Sequence, residues 1–414
     1  YKQDQLPRYN ARDVAIKRAQ DEGCPVVLGS ATPSLESWAN ARAGRHVLLE
    51  LTERVGGARL PRVTIVDLAR ERRASKHLQA IGPTLANALA RTLDAGGQAI
   101  LLLNRRGFAN YVACPSSTCG WSLSCDACDA SMVLHRASHL PRGEVLRCHH
   151  CLAETIVPTS CPLCARPLLL LGFGTQRVEE ELRERLDLEP EALVRLDSDA
   201  MQKGADYFDA LQAFEDGRIR VLLGTQMVAK GLDFPNVRLV GVINADTAIH
   251  LPDFRAAERT FQLVSQVAGR SGRGTDPGVV IVQTMHPEHP AIRLASAHDY
   301  VTFADEECRI RARAGFPPAT RMARIVVRDP ERTRAEARAH QIATTIRRLA
   351  HRDLVIDGPM PCPITRIAGF ERVAIEVRAP SAAMLQRTLH EARATGRLTS
   401  SAQVAVDIDP IALL

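Results

Sequence analysis

What this 414-residue chain lacks narrows it first. It contains no G-x-x-x-x-G-K-[ST] run, the loop whose backbone N–H groups cradle a nucleotide phosphate. Its apolar runs, "PVVLGS", "AIGPTLANALARTL" and "AILLLNRRG", are shorter than the roughly 20 residues needed to span a bilayer, so no membrane partner is expected. No basic stretch followed by an apolar one opens the chain, so no secretory signal is expected and the reading is cytoplasmic. The chain opens on Tyr1 rather than Met, which leads to the expectation of a longer parent protein. It shows no internal repeat and no low-complexity tract. Residues 291–414 hold no lysine, and 19 arginines there stand against 14 acidic residues. Most of the formal charge of +6 therefore sits in that segment. The excess is compatible with an acidic partner such as nucleic acid, and equally with an ordinary solvated surface.

Cysteine is what the chain has in plenty. Eight of its eleven cysteines fall within residues 114–164. Clustered pairs without a signal peptide read as metal ligands rather than disulfides. The pairs are Cys114/Cys119, Cys125/Cys128, Cys148/Cys151 and Cys161/Cys164. Three have the C-x-x-C spacing that lets one tight turn present two thiolates to a tetrahedral Zn²⁺. Four pairs supply two Cys₄ sites, and such closed sites leave no position for substrate, so two structural zinc ions are expected. Nested pairing puts Cys114, Cys119, Cys161 and Cys164 in one site and Cys125, Cys128, Cys148 and Cys151 in the other. Sequential pairing is equally allowed by spacing. Four residues separate Cys114 from Cys119, still within the accepted range. His135, His149 and His150 read as surface residues, and Cys24, Cys308 and Cys362 as plain thiols.

Along the chain, residues 1–50 read as helix, a buried strand at "PVVLGS", and a turn into a helix from "TPSLESWANAR". Residues 51–75 look like a connector around one strand, "RVTIVDL". Helix 82–95 and strand 98–104 then begin an α/β unit that the cysteine block interrupts. "LVRLDSD", "IRVLLGTQ" and "VRLVGVINAD" resume it, and the alternation with helices predicts a parallel sheet. From residue 291 a helix (299–314) leads to strands and helices in the order β-α-β-β-α-β, the split ferredoxin-like arrangement.

Three stretches suit phosphate chemistry. "GSATPS" (29–34), with Thr32, can couple a nucleotide site to a neighbouring domain, or be a strand-to-helix turn with a Ser or Thr cap. In "GTQMVAKGLDFPNV" (224–237), Thr225 and Gln226 close a strand with donors suited to a nucleic-acid phosphate, and Lys230, Gly231 and Asp233 suit a domain cleft. The plain alternative is a polar loop. In "SQVAGRSGRG" (265–274), Gln266 precedes Arg270 and Arg273 at helical spacing. Arginines so placed can stabilise charge on a transferring phosphate, or form a solvated helix end. Asp246 mimics a Mg²⁺-binding aspartate, but no phosphate loop precedes it. It reads as a strand end that orients "FRAAERTFQLVSQ".

Taken in order, "YKQDQLPRYNARDVAIKRA", "LGSATPSLES", "LLLNRRGFA", the eight cysteines with "RCHHC", "GTQRVEEEL", "LLGTQMVAKGLDFPNV" and "QVAGRSGRG" resemble the bacterial primosomal replication-restart helicases across essentially the whole chain. "SATPS", "GTQMVAKGLDFP" and "QVAGRSGR" look like the third, fifth and sixth motifs of superfamily 2. The resemblance implies an ATP-dependent 3′→5′ DNA helicase acting in primosome assembly at stalled forks. Its implied fold is a RecA-like parallel-sheet lobe with a two-zinc insert, plus a C-terminal α+β ferredoxin-like domain. The implied boundaries are 1–52 for the end of a first RecA-like lobe, 53–112 for a connector and the start of the second lobe, and 113–166 for the zinc insert. Residues 167–290 continue the second lobe, and 291–414 form a helical segment and the ferredoxin-like domain.

By the same resemblance Arg270, Arg273 and Gln266 face ATP with Mg²⁺, while Thr225 and Gln226 lie near DNA phosphate. Lys230, Gly231, Asp233 and Thr32 couple nucleotide to DNA. The implied partners are forked and single-stranded DNA, primosome proteins and single-strand-binding protein. The family's N-terminal DNA-binding domain, phosphate loop and D-E-x-H motif all precede the stretch resembling residues 1–13. The expectation is therefore a fragment inactive by itself. Two rivals are a non-catalytic zinc-containing nucleic-acid-binding scaffold and another superfamily 2 helicase. The ferredoxin-like domain either binds DNA through Arg366 and Arg372 or is a packed module.

Overall fold

The computed structural model describes residues 2, 8–51, 60–74, 79–103, 111–114, 119, 121, 123–126, 128–136, 144–148, 153–156, 158–171, 175–186, 188–196, 204–225, 234–246, 249, 253–270, 278–349 and 352–413. The first helix, α1 (Ala11–Glu22), starts where the Asn10 side chain accepts the Arg12 N–H and stops at Gly23, whose φ of 64° suits a residue without a Cβ. The second, α2 (Leu35–Arg42), is capped by Ser34, whose hydroxyl accepts the Ser37 N–H. Between them the expected strand at "PVVLGS" is absent. Residues 24–30 form an irregular segment with Val26, Val27 and Leu28 exposed. Among the described residues no strand lies alongside, and an apolar run without a ladder partner does not hold strand geometry.

The main sheet begins with β1 (Arg62–Asp67), followed by α3 (Leu68–Ala74), α4 (Pro83–Asp94) and β2 (Gln98–Leu103). The cysteine block then intervenes as short strands: β3 (Tyr111–Ala113), β4 (Ser124–Cys125), β5 (Cys128–Ser131) and β6 (Val133–Arg136). It ends with β7 (Glu144–Arg147), β8 (Glu154–Thr155) and β9 (Leu169–Leu171), of which β9 pairs back antiparallel onto β3. That pairing closes the block at its own neck. The α/β pattern resumes with α5 (Thr175–Arg185), β10 (Leu193–Leu196), α6 (Gly204–Glu215) and β11 (Val221–Gly224). It finishes with β12 (Val237–Asn244), α7 (Ala256–Ala268) and β13 (Val279–Thr284).

The six long strands pair in parallel in the order β1-β13-β12-β2-β11-β10. Parallel sheets need cover on both faces, and every residue of β2 is buried. Ile100, Leu102, Val240, Phe261 and Val264 fill one face, and Leu85, Leu89, Leu101, Val178 and Leu182 the other. One expectation needs correcting. The strand in "RVTIVDL" is no mere connector, because β1 joins the sheet as its edge strand beside β13. Alternate Val and Ile residues let it enter a ladder that its flanking glycines and prolines had disguised.

After β13 come α8 (Pro290–Ser296) and α9 (Tyr300–Arg313). The last unit is β14 (Arg321–Asp329), α10 (Arg332–Leu349), β15 (Val355–Ile367), β16 (Phe370–Ala379), α11 (Ala382–Ala394) and β17 (Val404–Ile408). Its four strands are antiparallel in the order β15-β16-β14-β17, as a split β-α-β-β-α-β arrangement requires. Ile342, Ile346, Leu385 and Leu389 from the two helices cover one face against Ile325, Val327, Ile375 and Val377. No helix among the described residues is long and apolar enough to cross a membrane.

Candidate metal centre and motor residues

Four cysteines from the two ends of the block converge. The thiols of Cys114, Cys119, Cys161 and Cys164 all lie within 4.8 Å of one another. Cys114 Sγ is 3.4 Å from Cys164 Sγ, and Cys119 Sγ is 3.6 Å from Cys161 Sγ. A tetrahedral zinc with Zn–S bonds of about 2.3 Å separates its sulfurs by about 3.8 Å, so this donor set fits the ion in kind and in size. Backbone hydrogen bonds build the two turns. The Cys114 N–H donates to the Trp121 carbonyl at 2.8 Å, and the Cys161 N–H to the Arg166 carbonyl at 2.8 Å. Ala165, with a φ of 57°, turns the chain sharply after the second pair.

The local field favours thiolate at Cys161. Burial opposes its ionisation, but the N–H groups of Leu163 and Cys164 and the thiols of Cys119 and Cys164 outweigh that and bring the pKa down to about 7. Cys308, a lone thiol on α9, behaves oppositely, since burial pushes it up to about 11.

Of the other four cysteines, Cys125 and Cys148 are buried in one apolar cluster with Val112, Met132 and Leu146. The backbone of Cys128 pairs with that of Cys125 across the β4–β5 hairpin. The Cys128 side chain and Cys151 lie outside the described residues.

The motor residues are only partly in view. Thr225 is buried at the end of β11, while Gln226, Lys230, Gly231 and Asp233 lie outside the described residues, as does Arg273. Gln266 is exposed on the last turn of α7, and Arg270 follows it half-buried. Thr32 is buried, and its N–H donates to the Ser30 hydroxyl at 3.1 Å. Asp246 is buried, taking the Thr284 hydroxyl and the Met285 N–H at the end of β13. A carboxylate so engaged ties two strand ends together.

A buried charge cluster that the sequence reading missed joins "SATPS" to α7. Glu258 of α7 accepts the N–H of Leu35, the first residue of α2, at 3.1 Å. Its carboxylate also lies 3.0 Å from Arg311 of α9 and 3.6 Å from Arg255. Arg255 in turn lies 2.6 Å from Glu36, and Arg311 lies 2.9 Å from Glu307. Burial disfavours the Glu36 carboxylate, but Arg255 outweighs that and holds its pKa down at about 2. Tyr300 of α9 donates to the Pro33 carbonyl at 2.8 Å, and Trp38 to Asp305 at 2.8 Å. The chain terminus joins too, with the Pro410 carbonyl accepting from Arg255 Nε at 3.1 Å and the Leu413 N–H donating to Asp253 at 3.1 Å. One signal was legible. Glu258 stands three residues before Phe261, on the buried stripe of its helix, where a charge requires a partner.

Of the two arginines considered for DNA, Arg372 is half-buried and donates to the Ile364 carbonyl at 3.0 Å. Burial, with Arg324 and Arg328 nearby, lowers its pKa. It braces the β15–β16 hairpin.

The helicase conserved C-terminal domain family matches residues 170–275, the stretch from β9 through α7. The primosomal protein N C-terminal domain family matches residues 312–411, the ferredoxin-like unit. Replication restart protein PriA of Bacillus subtilis is 45% identical over 369 residues, covering 89% of this chain and 44% of that protein. PriA of Treponema pallidum is 39% identical over 416 residues, covering all of this chain and 61% of that protein. The chain belongs to the PriA family. PriA of Haemophilus influenzae agrees, at 37% identity over 99% of this chain and 55% of its own length. The chain thus spans about half the length of the PriA relatives it matches. Within PriA terms the six-stranded sheet is a RecA-like helicase lobe, the cysteine block is its insert, and the antiparallel sheet is the C-terminal unit.

Proposed function

We propose that this chain is the C-terminal part of an ATP-dependent 3′→5′ DNA helicase of replication restart, working in primosome assembly at stalled forks. The observation that supports it most is the grip of Glu258 on Leu35. It ties Leu35, the residue directly after "SATPS", to the helix that carries Gln266 and leads into Arg270, on a lobe matching the helicase C-terminal family. In this reading residues 1–52 end a first RecA-like lobe, and their exposed Val26, Val27, Leu28, Val47, Leu49 and Leu51 await its sheet. Residues 53–112 and 167–290 build the second lobe, 113–166 the zinc insert, and 291–414 the C-terminal part.

Arg270 and Arg273 neutralise charge on the ATP phosphates, and Gln266 orients the nucleotide. Thr225 and Gln226 hold DNA phosphate, and Lys230, Gly231, Asp233 and Thr32 relay between the two sites. Mg²⁺ accompanies ATP, and Asp246 is not its ligand because Thr284 and Met285 occupy it. Two Zn²⁺ ions shape the insert, one held by Cys114, Cys119, Cys161 and Cys164 and one by Cys125, Cys128, Cys148 and Cys151. When bound, zinc supplies a structural crosslink and no chemistry. Forked and single-stranded DNA, primosome proteins and single-strand-binding protein are the partners, in the cytoplasm.

The test is forked-DNA-stimulated ATP hydrolysis by this chain and by one that carries the preceding residues of a PriA relative. Turnover only in the longer protein, abolished by Arg270→Ala, is expected. Salt-sensitive DNA binding without turnover in either would replace the motor with a zinc scaffold. Preference for RNA duplexes would point to another superfamily 2 motor.

A further inference from the structure

We propose that the β15–β16 hairpin of the C-terminal unit forms the apolar wall of one of the two metal sites, so that metal binding and hairpin docking stabilise each other. The inference rests on the zinc reading above and adds to it residues outside the cysteine block.

Three observations carry it. Cys125 and Cys148 belong to different pairs, yet both are buried in one cluster with Val112, Met132 and Leu146. Ile364 and Ile367 pack onto that same cluster, and β15 contacts β5, the strand that Cys128 opens. The hairpin is also shaped in advance. Ala368 and Gly369 turn it with φ values of 50° and 80°, and Arg372 pins the Ile364 carbonyl at 3.0 Å.

The contrast with the other site is internal. Cys164 of the four-thiol cluster is exposed and Cys119 half-exposed, and none of its four cysteines belongs to the apolar cluster that Ile364 and Ile367 join. An apolar shell excludes the water and protons that displace thiolate from zinc. The site containing Cys125 and Cys148 should therefore release its ion more slowly. Linkage makes the coupling reciprocal, so a filled site must also hold the hairpin more firmly.

The experiment uses the full 414-residue chain, purified with zinc. Zinc content is measured first, then release to EDTA is followed with a colour-forming chelator. Wild type should hold two ions and release them in two phases. Cys125→Ser with Cys148→Ser should remove the slow phase, which assigns it. Ile364→Ser with Ile367→Ser should speed the slow phase by about tenfold or more and leave the fast phase alone. Ile342→Ala, which loosens the helix-covered core of the C-terminal unit, a cluster containing neither Ile364 nor Ile367, should change neither phase. Two ions released by the hairpin variant at wild-type rates would overturn the coupling while leaving the zinc sites intact. No bound zinc in wild type would overturn both readings. Should the hairpin variant fail to fold, amide hydrogen exchange of wild type decides. Stripping zinc should lower protection at residues 362–370 but not in α10, and unchanged hairpin protection would end the proposal.

Discussion

The four-thiol cluster and the α2–α7–α9 junction each hold together stretches of chain that are distant in sequence, but with opposite chemistry. Cys114, Cys119, Cys161 and Cys164 are four soft donors of one kind, spaced so that a metal ion could bridge them. Around Glu258, each carboxylate faces a guanidinium of the chain, and the backbone of α2 joins the same carboxylate. The first junction suits an ion from outside. The second depends on keeping every internal charge. The two should therefore fail under different insults, and that difference can be tested from the largest effect downward.

The largest effect belongs to the thiols. Cys161→Ser should cost one bound zinc and unfold the cysteine block, since apparent structural-zinc binding energies run on the order of 10 kcal/mol. Metal analysis and protease cleavage within residues 111–171 report it. Full zinc content with an uncleaved block would mean that the cluster is not a metal junction.

Glu258→Ala comes next. It takes one of two counter-charges from the buried Arg311 and strands the Leu35 N–H in the interior, and breaking one partner of a buried pair costs about 3–5 kcal/mol. Glu258→Gln can still accept from Leu35 and should lose less, though it leaves Arg311 with Glu307 as its remaining counter-charge. Urea denaturation measures both. A loss below about 1 kcal/mol for the alanine variant would show that water or a rearranged arginine replaces the carboxylate.

How much of this was legible follows from locality. The C-terminal unit announced itself because its strands are antiparallel and half-buried, so β17 alternates the buried Val404 and Val406 with the half-buried Ala405 and Asp407. The nested cysteine pairing was one of two readings until Cys114 met Cys164, since spacing within each turn says nothing about which turns meet. "PVVLGS" carried a strand's composition, but a strand exists only beside another, and among the described residues none lies alongside it. The charge cluster was hardest to see. Glu36, Arg255 and Arg311 each look like ordinary surface charges until packing removes their water, and only Glu258, on the buried stripe of α7, signals otherwise.

A smaller and more selective effect is expected with acid. Glu36 has a folded pKa of about 2 against an ordinary value of 4.5. A depressed carboxylate contributes stability that is present above pH 4.5 and lost as pH falls from there toward 2. At ~1.4 kcal/mol per unit, the contribution is on the order of 3 kcal/mol. Glu36→Gln should flatten that part of the stability–pH curve, measured as the difference from wild type by urea midpoints between pH 5 and 3. Parallel curves would place the Arg255 pairing outside the stability of the fold.

The smallest effect is the one that isolates burial as the cause. Helix α1 carries two ion pairs as short as those at the junction, Lys17–Asp21 at 2.6 Å and Arg18–Glu22 at 2.7 Å. Both are exposed, with Lys17 and Asp21 side chains 71% and 60% accessible. Water solvates these charges whether or not they pair, and salt screens them. Lys17→Ala or Arg18→Ala should therefore shift stability by about 0.5 kcal/mol or less, and 0.5 M NaCl should erase even that. Distance is nearly the same on α1 and at Glu36–Arg255, so only burial separates the two cases. If the α1 variants lost as much as Glu258→Ala, the cost at the junction could not be assigned to stranded buried charge, and the contrast between the two kinds of polar anchor would collapse into one of contact distance.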